Sequence, residues 1–139
     1  MLGFQAAGAA PIVHNRVIEK PDTIATAIRI GNPASWKSAV AARDESKGLI
    51  DAVSDEEILS AYHHLASAVG IFVEPASAAS VAGVLKLAER GFFKTHKGSR
   101  LVCTLTGHGL KDPDTATQGL IQPVVLPVDR KAILKEIGL

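Results

Sequence analysis

Cysteine is nearly absent from this chain of 139 residues: Cys103 stands alone, so no internal disulfide and no cysteine-based zinc site can form. Aromatic residues are scarce at 4%, which leaves a core to be packed closely from Ala, Val, Ile and Leu. Surplus charge is missing as well. Fifteen basic and fourteen acidic residues leave a formal net charge of +1, so electrostatics gives no reason to expect nucleic acid or an anionic membrane as partner. The apolar start is far too short to span a bilayer. Residues 1–13 are uncharged, yet they lack the basic leader that an export signal places before its apolar part. A reducing, cytoplasmic setting is the expectation. Against these absences, 47% of the residues are hydrophobic, enough for a sizeable core and too many for a disordered tail. The length has room for one domain.

Periodicity and punctuation predict alternating strands and helices. The Gly- and Ala-rich start predicts a short helix ending at Pro11, followed by a polar loop over 14–22. Residues 23–30 suit a helix or an extended segment, with Ile28-Arg29-Ile30 leaning to strand. Pro33 suits the first turn of a helix running to about Ser46. A short strand is expected over 48–53. Ser54 with Glu57 three residues on forms a capping box that opens a helix to about Val69. On it, Ile58, Leu59, Tyr62, Leu65 and Ala66 share one face. Ile71-Phe72-Val73 reads as a buried mini-strand. The next helix is expected over 76–89, with Val81, Val84, Leu85 and Leu87 apolar and Gly91 as its stop. Residues 100–105 form an apolar run of the kind found in buried parallel strands. An extended stretch over 120–128 and a closing helix over 130–137 complete an α/β layered chain.

In open α/β sheets, ligands bind at the carboxyl ends of parallel strands. Two segments fit that place: Val73-Glu74-Pro75-Ala76-Ser77-Ala78-Ala79-Ser80, and Cys103-Thr104-Leu105-Thr106-Gly107-His108-Gly109-Leu110-Lys111-Asp112-Pro113. Their small residues let a flat ligand approach the backbone, their hydroxyls are neutral donors, and Glu74 supplies one charge. Capping and turn-making would account for the same residues. His63 and His64 are adjacent on a helix, so their side chains diverge by about 100° and cannot chelate one ion together. No metal site is expected.

Gly3-Phe4-Gln5-Ala6-Ala7-Gly8-Ala9-Ala10-Pro11, Thr23-Ile24-Ala25-Thr26-Ala27-Ile28-Arg29-Ile30-Gly31-Asn32-Pro33, Phe72-Val73-Glu74-Pro75-Ala76-Ser77-Ala78-Ala79-Ser80 and Leu105-Thr106-Gly107-His108-Gly109-Leu110-Lys111-Asp112-Pro113 resemble the threonine synthase family, in its order and near its spacing. The resemblance runs from the first residue to the last helix and matches the C-terminal portion of a longer enzyme. It implies the large domain of a fold-type-II, tryptophan synthase beta-like enzyme, three-layered around a mostly parallel sheet. Residues 1–139 would then be a single incomplete domain, part of a cytoplasmic homodimer. The family turns O-phosphohomoserine and water into threonine and phosphate, using pyridoxal 5'-phosphate held by a Schiff-base lysine. Carried over by motif, Thr106 is the hydroxyl that meets the pyridine nitrogen, and Glu74 is the acidic residue near the cofactor ring, with Ser77 close behind. Charge-capping of the following helix remains an equal reading of Glu74.

The resemblance also shows what the chain does not contain. The family's lysine lies in a Ser-Phe-Lys-Asp-Arg type motif, and here Phe92-Phe93-Lys94-Thr95-His96 lacks its serine and its Asp-Arg. Lys94 reads as a solvated side chain, so no catalytic residue is assigned. The Gly-Asn-x-Gly-Asn type phosphate loop is imitated by Gly31-Asn32-Pro33-Ala34-Ser35, but Pro33 removes a backbone donor that a phosphate cradle needs. The chain alone is therefore expected to be inactive and a doubtful binder of the cofactor. A related dehydratase, or a non-catalytic module that complements a separate chain, are the alternatives. Residues 1–13 and the strand edges are the expected exposed apolar patch.

Overall fold

A computed structural model describes residues 1–118 and 123–139; the expected extended stretch at 120–122 lies outside the described residues. Its centre is a parallel pair of strands, β1 (Leu2–Ala6) and β2 (Leu49–Val53), with Leu2 opposite Leu49 and Ala6 opposite Val53. A parallel pair needs a long crossover. Here the crossover runs through α1 (Pro11–His14), a 3-10 turn at Thr26–Ile28 and α2 (Trp36–Glu45).

Helix α3 (Asp55–His64) begins at the expected capping box: Ser54 Oγ accepts the Glu57 amide at 3.2 Å, and the Glu57 carboxylate accepts the Ser54 amide at 2.7 Å. A π-helical turn, Leu65–Val69, carries the helix to Gly70, which ends it with a left-handed backbone. Of the expected apolar face, Ile58, Tyr62 and Leu65 are buried, whereas Ala66 is exposed and Ala61 takes the inward position. Helix α4 (Pro75–Glu89) packs across α3 and both strands. Its inward surface is made of Ser77, Ala78, Ala79, Ala82 and Gly83, with Leu87 beyond, while Leu85 is 42% exposed. Small residues win that face because Phe4 of β1 lies directly on Gly83, in the space that a Cβ would need. The result is an alanine-rich core of Ala6, Ala9, Ala25, Ala61, Ala78 and Ala82 around Val53, Ile58 and Tyr62. Lys86 crosses from α4 to bond the Ala52 carbonyl at 2.8 Å and the Glu57 carboxylate at 2.9 Å, tying three elements to one ammonium.

Four expectations are corrected. The small-residue start is strand β1 followed by a 3-10 turn at Ala7–Ala9, and Pro11 begins a helix instead of ending one. Ile28-Arg29-Ile30 leaves the 3-10 turn without joining a sheet. Ile71 and Phe72 are 41% and 37% exposed, and only Val73 is buried, bridged antiparallel to His108. Residues 100–105 run without a strand ladder, and Val102 is 86% exposed. A strand is stabilised by its neighbours, and among the described residues none pairs with this segment. Toward the end come α5 (Pro113–Thr117) and α6 (Arg130–Glu136). No helix among the described residues is long and apolar enough to cross a membrane.

Candidate functional site

The two segments singled out by sequence meet. The Glu74 amide bonds the Gly107 carbonyl at 3.0 Å and the Gly109 amide bonds the Phe72 carbonyl at 3.2 Å, which locks the loop after residue 105 against the start of α4. The Phe72 and His108 rings meet edge to face with centroids 5.3 Å apart. His108 turns its own Nδ1 back to accept the Leu110 amide at 3.2 Å, so it caps a turn of its own loop.

Ser77, buried in the first turn of α4, is the hinge of the contact. Its Oγ accepts the Gly107 amide at 2.7 Å and lies 3.1 Å from Thr106 Oγ1. Thr106 itself is exposed, so its hydroxyl stands at the surface of the junction with a buried partner behind it. Glu74 is the N-cap residue of α4 but makes no side-chain cap bond. Its carboxylate is buried against the Gly107 backbone, filling the place where a Cβ would stand, and faces Lys111 Nζ at 3.8 Å. A carboxylate beside a helix N-terminus is favoured by the helix dipole, which offsets part of its desolvation. The ammonium of Lys111 completes the balance from the solvent side.

Sequence reasoning brought out Glu74, Thr106 and the loop, and left two partners unassigned. Ser77 was visible only as a hydroxyl near Glu74; its bond to Gly107 is a contact across 30 positions that spacing cannot show. Lys111 was visible as part of the motif, without a sign that it faces Glu74. Asp112 is a third participant: Oδ1 caps α5 by accepting the Thr115 amide at 3.2 Å, and Oδ2 is buried with no hydrogen-bond partner among the described residues. The Asp112 charge reaches Tyr62, whose phenol is pushed above its ordinary pKa first by burial and then by that charge.

Elsewhere, the sequence imitations of a cofactor site take structural roles. Gly31 lends its carbonyl to the Ile18 amide at 3.0 Å, which pins the loop before it. Lys94 is exposed on a 3-10 turn, Phe92–Thr95. His63 and His64 are both exposed.

The chain as a whole is similar to known proteins. A family model described as pyridoxal-phosphate dependent enzyme matches residues 1–107. The threonine synthase of Mycobacterium leprae is 57% identical over 139 residues, all of this chain and 38% of its own length. That of Halalkalibacterium halodurans is 59% identical over 138 residues, 99% of this chain and 38% of its own. The threonine synthase of Methanocaldococcus jannaschii is 48% identical, over 99% of this chain and 36% of its own. The chain thus spans little more than a third of the curated relatives it matches. Among solved structures, a threonine deaminase from T.th. superposes with a TM-score of 0.52 at 26% identity, covering 64% of this chain and 34% of its own.

Proposed function

The chain belongs to the pyridoxal-phosphate-dependent enzyme family, and from that premise we propose that it is the ring-binding, C-terminal portion of a threonine synthase. That enzyme converts O-phosphohomoserine and water into threonine and phosphate. The observation that carries the reading is the junction of Thr106, Ser77 and Glu74, formed by two motifs far apart in sequence.

The donor set fits one end of the cofactor. An exposed hydroxyl backed by a buried serine suits the pyridine nitrogen of a flat ring. When bound, pyridoxal phosphate supplies an electron sink for the carbon atoms of an amino-acid substrate. Thr106 would hold the ring nitrogen, and being a neutral hydroxyl it would not keep that nitrogen protonated as a carboxylate would. Glu74 would place its carboxylate beside the ring, where Gly107 and Lys111 hold it. The other end of the cofactor finds no match here: the chain has no lysine in the family's anchoring motif, and its glycine-asparagine turn is engaged with Ile18. Those parts, with most contacts to the substrate phosphate, belong to the length of the relatives that this chain does not span. The complete enzyme on this reading is a cytoplasmic homodimer.

The test is reconstitution. Purified alone, the 139-residue chain releases no phosphate from O-phosphohomoserine. Mixed with a separately expressed polypeptide carrying the anchoring lysine and glycine loop of the M. leprae enzyme, it does, and Thr106→Val lowers that turnover about tenfold or more. Turnover by the chain alone overturns its incompleteness. The likeness to threonine deaminase supports a second reading, a dehydratase, which predicts that the mixture deaminates threonine instead. Failure with both substrates leaves a non-catalytic module as the better account.

A further inference from the structure

The Ser77 hydroxyl has one proton and three polar neighbours. Gly107 donates its amide to Ser77 Oγ at 2.7 Å, and because an amide nitrogen only donates, the direction of that bond is fixed. The Ser77 proton then has two acceptors in reach: Thr106 Oγ1 at 3.1 Å and the Gly107 carbonyl at 3.3 Å. The carbonyl is the farther of the two and already accepts the Glu74 amide at 3.0 Å. Thr106 Oγ1 is nearer and makes its protein contact with Ser77.

We propose that Ser77 is the positioning residue of this site: it accepts a hydrogen bond from the Gly107 amide, donates one to Thr106 Oγ1, and so fixes the Thr106 rotamer with that hydroxyl's own proton left for a ligand. An exposed threonine otherwise samples more than one staggered well. Here the side chain that meets the ligand is on the surface and the group that aims it is 2% exposed, so the aim is set before anything binds. The inference rests on the reading of Thr106 as the ring contact, yet its test needs no cofactor.

The experiment is NMR on the isotope-labelled full chain, reading Gly107 amide exchange and the Thr106 α–β proton coupling. In the unsubstituted chain, Gly107 exchanges slowly and Thr106 shows one rotamer. Ser77→Ala speeds Gly107 exchange about tenfold and averages the Thr106 coupling, with helix content unchanged by circular dichroism. Thr106→Val leaves Gly107 exchange within about twofold, because the amide bond to Ser77 does not depend on Thr106. An averaged Thr106 coupling in the unsubstituted chain overturns the proposal, as does an unchanged coupling in Ser77→Ala. Equal acceleration by Thr106→Val overturns it too, since Thr106 would then be supporting Ser77. Should Ser77→Ala unfold, the unsubstituted chain and Thr106→Val still decide. A positioned Thr106 in a reconstituted enzyme indifferent to Thr106→Val would overturn the cofactor reading and leave this one standing.

Discussion

At the scale of single residues, the candidate site is a set of close approaches that each tolerate one residue type. Gly107 is the clearest, because its missing side chain is the space occupied by the Glu74 carboxylate. Gly107→Ala forces that carboxylate away from the loop and from Lys111, and overpacking of this kind costs about 1–3 kcal/mol. Urea unfolding measures the cost, and an unchanged midpoint would show that the Glu74 side chain moves freely. Tyr62 offers a second measurement because the sequence holds a single tyrosine. Its near-ultraviolet titration has one origin, and the midpoint should lie above the ordinary phenol value of about 10. Asp112→Asn should lower it, since the Asp112 charge is the second cause of the shift after burial. The folded state holds the phenol neutral, so its contribution to stability is fully present below about pH 10 and is lost as pH rises through the folded midpoint. A Tyr62 midpoint indifferent to Asp112→Asn would remove the charge from the account.

At the scale of elements, the α3 capping box is the junction most open to test. Glu57 accepts the Ser54 amide and also holds Lys86, so one carboxylate caps α3 and ties it to α4, while the same ammonium reaches β2 at the Ala52 carbonyl. Ser54→Ala removes the reciprocal half of the box and should cost about 1 kcal/mol, read as a lower midpoint in thermal or urea unfolding. Elements with such local signals were legible in the sequence. The Ser54–Glu57 pair placed α3, Gly70 and Gly91 ended their helices with left-handed backbones, and β2 lies within the short strand expected over 48–53. Elements fixed by distant neighbours were not. The Gly- and Ala-rich text of β1 has no period, and its strand conformation follows from the parallel pairing with β2, 47 positions away. Residues 100–105 have the composition of a buried strand and stand outside the sheet, because a strand needs a partner as well as a sequence. The site followed the same division: Thr106, Glu74 and the glycine loop were found as motifs, whereas the service of Ser77 to Gly107, and of Lys111 to Glu74, is tertiary.

At the scale of the whole molecule, the distribution of apolar surface differs from the one composition suggests. The uncharged N-terminus is only partly covered: Ala6, Ala9, Ala10 and Pro11 are buried, Leu2, Phe4 and Ile12 are half-buried, and Met1 and Val13 are exposed. One exposed apolar segment is residues 101–102, where Leu101 and Val102 are 45% and 86% exposed. This segment borders a groove of about 390 Å3 whose other wall is Leu2 and Phe4 of β1, with Val84 and Ser80 of α4 between. Two features of that arrangement favour association. The edge of β1 away from β2 carries no ladder partner among the described residues, and the facing segment, itself outside any ladder, presents Leu101 and Val102. Unpaired edges and contiguous apolar patches are the surfaces through which chains associate. The free chain should therefore self-associate as its concentration rises, and Val102→Lys should suppress that association while leaving the unfolding midpoint within about 0.5 kcal/mol, as expected for a surface position. Static light scattering across a concentration series checks both halves. A monomer at every concentration would show that the groove is satisfied within the chain, and association unaltered by Val102→Lys would move the contact elsewhere, to the exposed Val124, Val125 and Val128 beyond α5.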